Sequence, residues 1–465
     1  MSEYQYNKVT PEMIEKFKEI APKRVLVGDE INEDFTHDEM AIYGKARPEV
    51  LVEATSTEEV AAVVKLCNEN KVPVTPSGAR TGLVGGAVSI GGGVMISLTK
   101  MNKILGYDKE NFVVKIQSGV LLNDLAQDAE KQGLLYPPDP GEKFATVGGN
   151  VATNAGGMRA VKYGCTRDYV RAMTVVLPTG EIVKLGATVS KTSSGYSLLN
   201  LMIGSEGTLG IITELTLKVI PAPKSVISLI IPYENLEDCI ATVPQLEFME
   251  KEVVMDTEKF LGKQVYPKEL EGTEIGAYLL ATFDGNSEEQ LEDIIEQASE
   301  VVLEAGAIDV LVADTPALKK DAWAVRGALL EAIEADTVLL DECDVVVPTN
   351  KIAEFLTYTK SLEAEADFRV KSFGHAGDGN LHIYTCSNDM EEGEFKKQVA
   401  VFMDKVYAKA TEFGGMISGE HGIGHGKMDY LAESLGPVQM RIMEGVKEVF
   451  DPNMILNPGK ICYKL

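Results

Sequence analysis

A chain of 465 residues, 45% hydrophobic and 25% charged, has ordinary globular composition and length for about three structural units, which excludes disordered, fibrous and single-core disulfide-scaffold classes. Its 44 basic against 71 acidic side chains, net −27, give a surface that repels phosphate backbones and anionic lipid, so no nucleic-acid partner is expected, although a local anion pocket remains open. No window approaches the roughly 20 apolar residues of a membrane span, and the start MSEYQYNKVTPEM lacks a basic-then-apolar leader, so a soluble, cytoplasmic protein is expected.

In chain order, VLVEA (50–54) reads as a strand, and Ser56 with Glu59 forms a capping box opening a helix with the apolar stripe Val60, Val63, Val64 and Cys67. VPVT then forms a second strand that runs into Pro76, Ser77 and Gly78. The first glycine loop therefore sits at a strand's carboxyl end, where α/β sheets hold ligands. The next run, VMISL (94–98), is β-like again. That breaks the strand, glycine loop, helix order of a nicotinamide site, and no GxxxxGK is present, so loop amides rather than a helix N-terminus must receive any phosphate. Further strands are expected at FVVKIQSG (112–119), MTVVLP (173–178) and GIITELTLKVI (210–220), with Pro221 and Pro223 marking a boundary near 222. Beyond it, Ser287 and Gln290 cap a helix carrying Leu291, Ile294, Ile295 and Ala298 and ended by Gly306. Strands EIGAYLLATF (274–283) and NLHIYTC (380–386) complete the picture of an α+β half.

Glycine and histidine are unevenly spread. Of 43 glycines, 22 lie between Gly78 and Gly210, and four of the five histidines fall in GHAGDGNLH (374–382) and GEHGIGHG (419–426). The amides of PSGARTGLVGG suit a diphosphate, with Arg80 adding a positive charge. In PPDPGEKFATVGGNVATNAGG, the side chains of Thr146, Asn150, Thr153 and Asn154 suit ring edges or ribose; tight turns alone are the plainer alternative. His375, His382 and Glu420 form a two-nitrogen, one-oxygen set of the kind that holds zinc, iron(II) or manganese(II) with positions left open, against the alternative of packed loop histidines. The cysteines at 67, 165, 239, 343, 386 and 462 stand singly. No iron–sulfur or zinc-ribbon spacing is present, and any electron chemistry must use another cofactor.

The loop at 76–82, the PPDPGEKFATVGGNVATNAGG segment, KYGCTRDYV (162–170), GSEGTLGIIT (204–213) and LNPGK (456–460) resemble the FAD-binding domain of the vanillyl-alcohol oxidase (PCMH) type. More narrowly, the chain resembles the FAD-linked D-2-hydroxy-acid dehydrogenases, the group of D-lactate dehydrogenases, the D subunit of glycolate oxidase and D-2-hydroxyglutarate dehydrogenase. The resemblance implies an α+β architecture: an FAD domain over 1–221, a cap domain for substrate and metal over 222–420, and a C-terminal segment, 421–465, returning to the FAD domain. It assigns Pro76, Ser77, Gly78, Ala79, Arg80, Thr81 and Gly82 to the pyrophosphate. Pro138, Asp139, Thr146, Gly149, Asn150, Thr153, Asn154, Gly157, Glu206, Gly210, Ile212 and Asn457 are assigned to the rest of the flavin. The only histidine before residue 375 is His37, outside every matched motif, so the FAD is expected to be non-covalent. Cys165 reads as a small buried residue rather than an attachment point.

The same resemblance implies His375, His382 and Glu420 as ligands of a divalent metal (zinc, iron or manganese) and His421 as the base. Asp378 and Asn380 would support them, and His425 would pack. Arg326, in DAWAVRG, is the candidate clamp for a substrate carboxylate, the alternative being a salt bridge within an acidic domain. Relatives acting on dicarboxylates carry a lysine before the strand VVVP (345–348), where this chain has LLDECD. D-lactate or glycolate is therefore expected over D-2-hydroxyglutarate. The expected reaction oxidises a small D-2-hydroxy acid to the 2-oxo acid, with hydride passing to flavin N5 and electrons leaving to a partner such as an electron-transfer flavoprotein or an iron–sulfur subunit. The alternatives are an oxygen-using oxidase of the same fold and a flavin-binding electron-transfer subunit without its own chemistry.

Overall fold

The strands Val50–Glu53 and Val74–Ser77 both pair in parallel with Val94–Ser97, and their β-branched residues Val50, Val52, Val74, Val94 and Ile96 are fully buried. This is how a parallel strand pair covered by a helix should read. The crossover helix Thr57–Glu69 starts where its cap predicts, Ser56 Oγ accepting from Glu59 N at 3.2 Å. The reciprocal half of the box is shifted by one residue: the Glu59 carboxylate accepts from Thr55 N at 2.8 Å and pairs with Arg24 instead of turning back to Ser56. The computed structural model describes residues 5–242 and 247–465. These fall into two units, one built from the chain up to Pro221 together with Glu420–Leu465, the other Ala222–Gly419.

In the first unit the parallel strands belong to a four-stranded sheet, edged by Val25–Val27. A second, antiparallel sheet runs in the order Ile104–Asp108, Val113–Gln117, Ile211–Lys218, Val170–Val176, Ile182–Gly186. The expected strand MTVVLP begins earlier than its apolar run, because pairing with Ile211–Lys218 continues back to Val170↔Leu217. After the last helix, Met428–Phe450, the chain lies beside the first sheet: Leu456 forms a parallel bridge with Val74, and Asn457 N donates to Val74 O at 2.7 Å. That helix bends at Gly436 (φ 74°), which lets Pro437 begin a fresh helical turn.

The second unit carries a seven-stranded antiparallel sheet in the order Leu311–Ala313, Ser225–Tyr233, Ala277–Gly285, Glu247–Glu250, Arg369–His375, Asn380–Ser387, Leu339–Val346. Helices Lys251–Leu261, Pro316–Gly327 and Leu329–Ala335 bury one face around Met249, Tyr278, Leu280, Phe373 and Tyr384. The helix Glu288–Glu304 is capped by Ser287, whose Oγ accepts from Gln290 N at 3.2 Å, and Gly306 follows its end at φ 101°. The fold is α+β. Among the described residues no helix is long and apolar enough to cross a membrane.

One buried ion pair fixes the end of the chain in the first unit. Lys447 Nζ donates to Asp451 Oδ2 at 2.6 Å and to the carbonyls of Thr208 and Leu456, each at 2.7 Å. Asp451, fully buried, also accepts from Leu456 N at 2.7 Å. Removing the ammonium alone would strand that carboxylate and two carbonyls, a loss of about 3–5 kcal/mol. K447M is expected to lower urea stability of this unit by about that amount, read by far-UV circular dichroism; a loss of less than ~1 kcal/mol would contradict it.

Candidate active site

Three glycine-rich segments meet at the carboxyl end of Val74–Ser77. A Cβ on Gly78 would collide with Thr146 Oγ1, and one on Gly207 (φ 69°) would lie 2.5 Å from Pro76 Cγ, so both positions need bare backbone. Thr146 caps the short helix Val147–Thr153, accepting from Gly149 N at 3.3 Å, and Asn154 closes it in the left-handed conformation. Gly204 N and Glu206 N then donate to the carbonyls of Val151 (3.0 Å) and Ala152 (2.8 Å). Asn457 locks the seam, its Nδ2 donating to Gly86 O at 3.0 Å and Glu206 O at 2.8 Å.

Several buried polar atoms along this seam, Asn457 Oδ1 and Ser118 Oγ among them, have no hydrogen-bond partner within the protein. Side-chain-free loops with unsatisfied polar atoms fit a cofactor bearing a diphosphate and a polar ring. The structure brings Pro76, Ser77, Gly78, Thr146, Gly149, Asn150, Thr153, Asn154, Glu206 and Asn457 to this seam, while Gly157 backs onto the Asp139 carbonyl. Three predicted residues have neighbours of their own in the fold. The Arg80 guanidinium stacks over Phe35 at 4.0 Å and its Nε donates to Asp34 O at 2.8 Å, while its buried Nη1 has no hydrogen-bond partner within the protein. Ile212 is a side chain of the apolar core, and Gly210 backs onto Val175 in the same region.

Glu206, in the left-handed region (φ 50°), accepts from Ile423 N at 2.7 Å and Gly424 N at 2.8 Å. Burial pushes its pKa up against the pull of those amides and of Lys460 and Lys427. The carboxylate thereby fixes the loop that begins with Glu420 and His421. At the start of that loop, a Cβ on Gly156 would lie 2.9 Å from Glu420 Oε2, so Glu420 rests on the NAGG turn. His425 packs edge-on to Tyr43, ring centroids 6.1 Å apart, and burial lowers its pKa to about 4, which makes it a neutral packing group. Behind the same loop, burial raises Asp38 to about 7 and lowers Lys460 to about 8; Asp38 Oδ2 accepts from Gly85 N at 2.6 Å.

In the second unit the ladder register sets out two rows on one sheet face. Glu247, His375 and Asn380 stand opposite one another, and Met249, Phe373, His382 and Asp344 form the next row. The His375 and His382 rings lie 5.3 Å apart and nearly perpendicular, with candidate ligand atoms within 4.8 Å of each other. His375 Nδ1 is 2.7 Å from Glu247 Oε1, which directs Nε2 away as the ligand atom. Asp344, fully buried, accepts from Asn380 Nδ2 (2.6 Å), Ser418 Oγ (2.9 Å) and Gly419 N (3.0 Å), and it lies 3.7 Å from His382 Nδ1. Two imidazoles of this geometry, one oriented by a carboxylate, fit a divalent metal of the nitrogen- and oxygen-binding class.

Arg326 is almost fully buried and its guanidinium is paired: Nε and Nη2 lie 2.8 and 2.5 Å from Glu247 Oε2, with the Phe373 ring 5.0 Å beneath. Burial pushes the Glu247 carboxyl up, and the His375 and Arg326 charges outweigh that and hold it below its ordinary range. Three residues here carry no motif and were missed in the sequence: Glu247, Asp344 and Glu342. Glu342 is fully buried, with a carboxylate oxygen within 4.8 Å of a His382 ring nitrogen. Burial first, then the Glu342 and Asp344 charges, push the neighbouring Tyr384 hydroxyl well up. Acids at 341, 342 and 344 within the strand Leu339–Val346 were the available signal.

Residues 48–186 match the family model of an FAD binding domain, and residues 222–461 that of the C-terminal domain of FAD linked oxidases. A D-lactate dehydrogenase of Anaerostipes hadrus is 98% identical over the whole of both chains. The chain belongs to the FAD-linked D-2-hydroxy-acid dehydrogenase family. A D-lactate dehydrogenase of Archaeoglobus fulgidus is 40% identical, covering 90% of this chain and 92% of its own. The solved structure of p-cresol methylhydroxylase with substrate bound, 18% identical, superimposes with a TM-score of 0.79 over 98% of each chain, which shows the shared PCMH-type fold.

In this family member the Glu206 anchor has a direct readout. E206A removes two buried hydrogen bonds, each contributing about 0.5–1.5 kcal/mol. Amide hydrogen exchange at Ile423 and Gly424 is expected to accelerate at least ~10-fold, with no change at Val94–Ser97; unchanged exchange at both amides would contradict the anchoring role.

Proposed function

We propose that this enzyme oxidises D-lactate to its 2-oxo acid, using non-covalently bound FAD and a divalent metal held by His375, His382 and Glu420, with His421 as the base. The observation that carries this reading is the perpendicular His375–His382 pair beside Asp344, whose carboxylate holds Gly419 N, the residue from which the chain runs directly into Glu420 and His421. The 98% identity to a protein named D-lactate dehydrogenase supports the substrate. LLDECD offers no cation, and Glu342 is an acid near His382, so a second carboxylate on the substrate would meet like charge. This favours a small monocarboxylate.

When bound, the metal supplies charge that lowers the pKa of the substrate hydroxyl, and the flavin supplies a hydride acceptor at N5. His421 takes the hydroxyl proton, so proton and hydride leave the substrate separately, and two electrons depart with the hydride. Arg326, whose Nε donates to Glu247 Oε2 and whose buried Nη2 has no hydrogen-bond partner within the protein, presents its guanidinium charge to the substrate carboxylate. The cradle amides around Gly78 and the Asn457 lock hold the cofactor side of the reaction. The two electrons then pass to a partner protein, an electron-transfer flavoprotein or an iron–sulfur subunit, since no cysteine spacing in this chain builds a cluster. All six cysteines are thiols, in keeping with a reducing cytoplasm.

Anaerobic titration with D-lactate, L-lactate, glycolate and D-2-hydroxyglutarate tests the reading through flavin absorbance: D-lactate is expected to bleach the flavin most rapidly. H421A should retain FAD while the rate of bleaching falls about 10²–10⁴-fold. Wild-type bleaching by H421A would remove His421 from the reaction. Stripping the metal with a chelator should abolish bleaching, and adding manganese(II) or zinc should restore it; bleaching that survives stripping would remove the metal from the mechanism. Rapid reoxidation in air with peroxide release would identify an oxidase instead.

A further inference from the structure

Glu247 occupies a position that the proposed chemistry leaves unexplained. It is 5% exposed and stands directly opposite His375 in the strand ladder. One of its oxygens is 2.7 Å from His375 Nδ1; the other accepts from Arg326 Nε at 2.8 Å and lies 2.5 Å from Nη2 as an ion pair. A single negative charge is thus shared between a candidate metal ligand and the candidate substrate cation, all three on rigid elements of one unit.

We propose that Glu247 is a positioning residue that couples the metal subsite to the substrate-carboxylate subsite, so that the two ligands bind cooperatively; this rests on the metal reading above. The physical path is short. A metal on Nε2 withdraws electron density from the imidazole and makes Nδ1–H a stronger donor, which draws the Glu247 charge toward His375. The Arg326 guanidinium is then less neutralised by its partner and attracts an incoming carboxylate more strongly. Reciprocity requires that a bound carboxylate, by competing for Arg326, release Glu247 to His375 and tighten the metal. The Phe373 ring beneath the guanidinium and the ladder pairing Glu247↔His375 hold the geometry, so the response is a redistribution of charge with little movement.

The test uses the FAD-loaded protein stripped of metal and titrated with manganese(II), followed by the electron paramagnetic resonance of the free ion, with and without oxamate, an unreactive monocarboxylate. In the wild type, oxamate is expected to tighten manganese(II) about 5-fold or more. E247Q should weaken manganese(II) about 10–100-fold and remove the oxamate effect. Combined with H375A, it should add nothing to the loss H375A causes alone, because Glu247 acts through that imidazole. E247D keeps a negative charge for Arg326 and so folds even if E247Q does not; its shorter side chain leaves His375 unheld, and it should weaken the metal in the same direction. Wild-type affinity in E247Q or E247D, full additivity with H375A, or an oxamate effect that persists in E247Q would overturn the coupling. If H375A itself binds manganese(II) as the wild type does, the metal reading beneath it falls as well.

Discussion

Glu206 has exchanged water for the amides of Ile423 and Gly424. A carboxylate leaves solvent only where other donors replace its hydration, so the exchange constrains both sides: the amides hold the acid, and the acid fixes the path of the loop that begins with Glu420 and His421. Asp344 plays the same part in the second unit, gathering Asn380, Ser418 and Gly419. Glu247 does so between His375 and Arg326. Each segment with candidate chemistry is therefore tethered by an acid standing on, or beside, a regular element, which is how flexible glycine-rich backbone acquires a defined shape.

The cofactor side relies on the opposite device. At Gly78 and Gly207 the chain gives up side chains so that Thr146 and Pro76 pack directly against bare backbone, where peptide amides are unobstructed by side chains. An overall charge of −27 is compatible with anion binding on these terms, because oriented peptide dipoles act within a few ångströms while the net charge acts through screened solvent.

Much of the architecture was legible because it is encoded locally. Ser56 and Ser287 cap the helices they announce, and VPVT ends in the loop it was expected to feed. The unevenness of glycine and histidine also drew attention to the loops that carry unsatisfied polar atoms and paired imidazoles. What escaped is long-range partnership. Arg326 reads in isolation as a fork awaiting a substrate, yet the fold gives it Glu247, 79 residues earlier. Arg80, in a loop suited to phosphate, lays its guanidinium over the face of Phe35, 45 residues earlier. No spacing rule anticipates either pairing; both follow from sheet register and neighbouring segments.

The lock made by Asn457 has a temporal meaning. Its amide reaches Gly86, 371 residues earlier in the chain, and Leu456 lies beside the strand that feeds the first glycine loop. Loop closure over such a separation costs entropy before the contact rewards it, and the edge at Val74 stays uncovered until the segment around Leu456 has been synthesised. The seam between the glycine loops is thus sealed by one of the longest-range contacts in the fold, so its formation depends on tertiary assembly and not on local sequence.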